Sequence, residues 1–137
     1  MTHRIICGIA LVCAMAVQPA VAHHAPSALA TVRITEPVMV GGTSLQPGTY
    51  DIRLTGEHLA PLPGQSEEAG QVVEFVKDGM VIAKDAAEVM PATAAPVGTS
   101  GGVTPRARVE RLKGDEFVRV SVSRGSERYL IHLPLAH

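Results

Sequence analysis

The chain is 137 residues long, 46% hydrophobic and 18% charged, with 12 Lys and Arg against 13 Asp and Glu for a net charge of −1. That apolar content excludes a disordered chain, and the balanced charge points to no nucleic-acid or membrane-surface partner. With no Trp and only two Tyr and two Phe, aromatic stacking platforms for bases or sugars are not expected either.

The N-terminus is the most informative segment. Met1-Thr2-His3-Arg4 is a short basic start, Ile5 to Val17 is a run of 13 apolar or small residues, Gln18-Pro19 breaks it, and Ala20-Val21-Ala22 places small residues at −3 and −1 of a cleavage site. This is the layout of a secretory signal peptide, and the run is shorter than the roughly 20 residues of a membrane span. Neither Cys7 after Ile6 nor Cys13 after Val12 has the small preceding residue of a lipoprotein signal. Arg4 lacks the second arginine of a twin-arginine signal. Residues 1–22 are therefore expected to be cleaved on Sec-type export to the periplasm or beyond, leaving 23–137, 115 residues, as one domain with no membrane span. Both cysteines leave with the signal, so the mature chain is expected to have no disulfide, no thiolate metal site and no cysteine nucleophile. It must hold together by core packing alone.

Period-two alternation then dominates. In Ala28–Thr35, Ala30, Val32 and Ile34 share one face and Thr31, Arg33 and Thr35 the other, as in a half-buried strand. Val38-Met39-Val40 reads as a short strand after Pro37, and Gly41-Gly42 and Pro47-Gly48 are turns around Leu45. Thr49–Thr55 sends Tyr50, Ile52 and Leu54 inward and Asp51 and Arg53 outward. His58–Ser66 reads as loop. Val72–Lys77 and Met80–Lys84 flank Asp78-Gly79, a hairpin signal because a type I′ turn needs positive φ at both central residues. Asp85-Ala86-Ala87-Glu88 has capping-box spacing and predicts one helical turn, stopped by Pro91. Pro91–Pro105, rich in Pro, Gly, Ala, Thr and Ser, predicts a flexible loop at 91–105. Arg106–Leu112 puts Ala107 and Val109 on one face. Phe117–Ser123 turns Val118, Val120 and Val122 inward, and Arg128–Leu135 does the same with Tyr129, Ile131, Leu133 and Leu135. Gly114-Asp115 and Gly125-Ser126 are turns, and Pro134 marks a strand end. About seven strands and no ordinary helix predict an all-β fold: an antiparallel β-sandwich or flattened barrel, immunoglobulin-like or jelly-roll-like.

The run Gly42-Thr43-Ser44-Leu45-Gln46-Pro47-Gly48-Thr49-Tyr50 resembles a motif of small exported bacterial β-sandwich proteins, in which a Leu closes the sandwich end, Pro-Gly turns the chain and Tyr opens the inward face of the next strand. The resemblance implies fold and compartment and no activity. A mature start at His23 and a cysteine-free β-sandwich also resemble the periplasmic copper carriers of the CopC type. Those carry their Gly-Thr-Tyr strand start late in the chain, whereas Gly48-Thr49-Tyr50 comes early here.

Few residues point to chemistry. Cleavage after Ala22 would leave His23 as the first residue, with its amino nitrogen and imidazole free to chelate Cu(II). His23 and His24 are thus the candidate metal ligands, with His58, His132 or His137 as a source of a further imidazole. Glu57-His58 is at most half an acid–base pair, and His132 faces away from Ile131 and Leu133. There is no Gly-x-Ser-x-Gly, phosphate-binding loop or His-Glu-x-x-His, and Glu67-Glu68 reads as solvated charge. Arg106, Arg108, Arg111, Lys113, Arg119, Arg124 and Arg128 crowd the last 32 residues. Of these, Arg108 and Arg119 with Glu110, Ser121 and Ser123 are expected on an outward polar face, either a solvated surface or a site for an anion or acidic partner. The expectation is a non-enzymatic envelope protein, without cofactor and without catalytic residues, that binds or scaffolds an envelope protein or small ligand. The alternative is a periplasmic copper-binding protein using His23. Mass spectrometry of protein recovered from the envelope is expected to give His23 as the first residue; an intact Met1 on a membrane-embedded chain would overturn the export assignment.

Overall fold

The computed structural model describes residues 25–67, 69–92 and 106–137, which contain nine strands and no helix. These are β1 (Ser27–Ile34), β2 (Val38–Val40), β3 (Thr43–Leu45), β4 (Gly48–His58), β5 (Gly70–Lys77), β6 (Met80–Pro91), β7 (Arg106–Arg111), β8 (Phe117–Arg124) and β9 (Glu127–Pro134). The signal segment, Glu68 and positions 93–105 of the expected loop lie outside the described residues.

Seven strands form one antiparallel sheet in the order β1-β4-β5-β6-β9-β8-β7. The sheet curls until its edge strands β1 and β7 lie side by side, so the all-β fold takes the flattened-barrel form. At this seam the Arg111 guanidinium on β7 meets the Glu36 carboxylate just beyond β1 at 2.6 Å and Asp115 at 2.9 Å. The two remaining strands, β2 and β3, pair as a small hairpin of their own. Its Val38, Val40 and Leu45 side chains are fully buried, and it is tied to the main sheet by a Val38–Leu135 bridge and by the Ala136 N–H donating to the Pro37 carbonyl at 3.0 Å.

The inward faces fill one core. Val32, Ile34, Tyr50, Ile52, Leu54, Val118, Val120, Val122, Ile131 and Leu133, all placed inward by alternation, are buried. Phe75 is the largest fully buried side chain. Tyr50 keeps its hydroxyl satisfied by donating to the Gln46 carbonyl at 2.7 Å, which lets a polar tip lie at the barrel end above an apolar ring. Tight turns fall where the dipeptides predict them. Asp78 and Gly79 have φ of 51° and 79°, the left-handed pair that a two-residue type I′ hairpin demands.

Three elements depart from simple alternation. Leu29 is buried, not outward, because the β1–β4 register slips between Ala28 and Ala30 and makes Leu29 the extra residue of a bulge. A second bulge at Ile82 shifts β6 against β5 between Phe75 and Val76. The expected helical turn at Asp85–Glu88 is instead part of β6. There Glu88 pairs with Gly70 on one side and Leu130 on the other, so ladder hydrogen bonds on both flanks outweigh a local capping signal. The Asp85 carboxylate caps a loop instead, accepting the Gly41 N–H at 3.3 Å. Gly41 has a φ of +52°, and a Cβ there would come within 2.0 Å of the Lys84 carbonyl oxygen. No side chain fits that turn against β6. In β7, Val109 packs on the core as expected, but Ala107 is exposed.

Val120 is fully buried, facing Val109 and Ile131 across its two ladders. Val120→Asp is expected to cost about 4 kcal/mol or more, an unpaired buried charge against a typical total of 5–15 kcal/mol. Circular dichroism should then show loss of the cooperative melt; an unchanged melting temperature would refute the inward assignment.

Candidate functional site

Strands β7, β8 and β9 are consecutive neighbours, and their inward positions are spent on the core. Their alternate residues must therefore stand together on the outside. The register stacks them in three rows: Arg106, Ser123 and Arg128; Arg108, Ser121 and Leu130; Glu110, Arg119 and His132. All but His132, together with Ala107, line a depression of about 630 Å³ on this outer face. The five residues expected outward, Arg108, Glu110, Arg119, Ser121 and Ser123, are all in it.

Charge in this groove is unbalanced. The segment from Arg106 onward holds seven of the 12 cationic side chains but four of the 13 acidic ones. Glu110, the carboxylate lining the groove, is turned along its own strand to Arg108, 2.7 Å away. It is therefore diverted from Arg119, its partner directly across the ladder. Among the described residues, the guanidiniums of Arg106, Arg119 and Arg128 have no carboxylate at ion-pair distance. The Arg119 Nε is moreover buried without a hydrogen-bond partner. A buried donor left unpaired costs about 1–3 kcal/mol.

The β8–β9 hairpin, which carries Ser123 and Arg128, is fixed by its own tip. Gly125, at φ 61°, opens a two-residue turn between Arg124 and Glu127. The Tyr129 hydroxyl donates to the Glu127 carboxylate at 2.6 Å. Burial foremost, then that hydrogen bond and the Glu127 charge, push the Tyr129 phenol up to about 12 from its ordinary 10.0.

The other candidates do not converge. His58, at the end of β4, pairs with Gln71 of β5, whereas His132 is in β9, two strands further round the sheet than β5, and pairs with Arg119 of β8. Both are exposed. Among the described residues no three His, Cys, Asp or Glu side chains lie close enough to hold a metal ion. His23 and His24 lie outside the described residues. The Glu57 N–H is satisfied by the Thr55 hydroxyl at 3.1 Å. Beyond the five expected residues the groove holds Arg106, Ala107, Arg128 and Leu130, which alternation alone does not assign to it; only the order β7-β8-β9 brings the three strands together. No helix among the described residues is long and apolar enough to cross a membrane. Comparison with family models, curated proteins and solved structures finds no match to this chain.

Because the fold holds the Tyr129 phenol neutral, its contribution to stability is complete below about pH 10 and is lost as pH rises through about 12. Absorbance titration of the folded protein is expected to show one tyrosine ionising near pH 12, and Tyr129→Phe should remove that step and flatten the alkaline fall in stability. A Tyr129 that titrates near 10 in the folded protein would refute the buried Tyr129–Glu127 contact.

Proposed function

We propose that this chain is an exported, non-enzymatic binding protein of the cell envelope, and that its binding face is the groove on β7, β8 and β9, which receives an anionic partner. The observation that carries the reading is the set of three guanidiniums, Arg106, Arg119 and Arg128, that have no carboxylate at ion-pair distance among the described residues, gathered with two serine hydroxyls on one face of a chain whose net charge is −1. Guanidinium forks suit carboxylate and phosphate oxygens in paired hydrogen bonds. They hold their protons at every physiological pH, so they bind and orient without exchanging protons. The groove's carboxylate, Glu110, is engaged by Arg108, which favours binding over acid–base chemistry. The expected signal at residues 1–22 supports the compartment.

The test is retention on a phosphate-bearing cation-exchange matrix. At low salt the mature protein is expected to be retained despite its negative net charge, and to elute as added salt shortens the Debye length below about 10 Å. Reversing two charges, Arg106→Glu with Arg128→Glu, should abolish retention while leaving the melting temperature unchanged, since both side chains stand outside the core. Equal retention of the variant and the parent protein would overturn the reading.

A further inference from the structure

The groove is not a uniform cationic surface, and its three rows differ in what they offer. In the first, Arg106 and Arg128 flank Ser123 from the neighbouring strands, about 10 Å apart at the backbone by strand spacing. Two forks and a hydroxyl can thus close on one group from three directions. In the third row, Arg119 stands with its Nε buried and unpartnered, its cross-strand neighbour Glu110 being held by Arg108. The middle row separates these two positions and is nearly neutral at its centre: Ser121 and the half-buried Leu130, with Arg108 compensated by Glu110. Ser123 and Arg119 are four residues apart on β8, about 13 Å along an extended strand.

Resting on the anion-binding reading above, we propose that the groove is a two-point site for a small dianion with phosphate-type ends. One end lies between Arg106 and Arg128 over Ser123. The other is held by Arg119, and the uncharged span between them lies over Ser121 and Leu130. The three-sided first position suits a tetrahedral oxyanion, which offers three oxygens where a carboxylate offers two. Joining the two charges makes the second contact intramolecular, so the linked dianion gains far more than a second independent anion would.

Calorimetric titration tests this with decylphosphonate and decane bisphosphonate, which share an alkyl span of matching length and differ by one charged end. The bisphosphonate is expected to bind at least tenfold more tightly than the monophosphonate. Arg119→Gln should remove that gain, and Arg119→Lys, which keeps the charge but loses the fork, should restore part of it. Propane bisphosphonate, too short to reach both rows, should bind no better than decylphosphonate. The dicarboxylate of the same length should bind more weakly than decane bisphosphonate. Equal affinity for the two decyl probes, or a gain that survives Arg119→Gln, would overturn the two-point site. If both probes then still lose binding in the Arg106→Glu, Arg128→Glu protein, the broader anion-binding reading stands. If neither probe binds the parent protein, both readings fall. Equal binding of the dicarboxylate would overturn the phosphate assignment. Thermal melts of each variant establish that the fold is intact.

Discussion

Everything in this molecule depends on the contact between the valines of β8 and the inward residues of β9. Val118, Val120 and Val122 lie directly opposite Leu133, Ile131 and Tyr129, and all six are buried. Each such pair brings two branched or aromatic side chains together on one face, the arrangement from which antiparallel sheets draw their cross-strand stability. Because side chains alternate strictly, fixing these six inward fixes Arg119, Ser121, Ser123, Arg128 and Leu130 outward. The groove is the necessary complement of the core, and a one-residue slip of β8 against β9 would destroy both at once.

The rest of the architecture closes that core. The β2–β3 hairpin contributes Val38, Val40 and Leu45, each buried to about the same degree as the central strands. Its position depends on one glycine pressed against the Lys84 carbonyl and on a carboxylate, Asp85, that holds the same turn. β5 contributes Phe75 and also carries Glu74, nearly buried and paired with Lys84 at 3.3 Å. A charge so placed is tolerated because its partner is directly across the ladder, in the Glu74–Lys84 register pair. Arg111, outside the groove, is taken up by Glu36 and Asp115.

Much of this is legible in the sequence, for identifiable reasons. Clean alternation in Phe117–Ser123 and Arg128–Leu135 encodes its inward set directly, and Asp78-Gly79 encodes its turn through backbone conformation alone. Bulges are not written in alternation, so the burial of Leu29, the extra residue of its strand, does not follow from the sequence pattern. Asp85–Glu88 fails for the opposite reason: the spacing is a true capping pattern, but the ladders to β5 and β9 that displace it join residues far apart in the chain. The same limit governs the groove. Arg108 and Glu110 can be placed from their own strand, whereas recognising Arg106 and Arg128 as flanking one serine requires the strand order.

The seam between β1 and β7 has a consequence for how the protein behaves among other copies of itself. In an open sheet each outermost strand offers a row of unused backbone donors and acceptors to any passing extended chain. Here those two rows face one another across the gap, with the Arg111–Glu36 contact at one end. The barrel thereby screens its own aggregation-prone edges by curvature, with no cysteine among the described residues to staple them. In a crowded solution such a chain would keep its copies apart chiefly through the shape of one sheet.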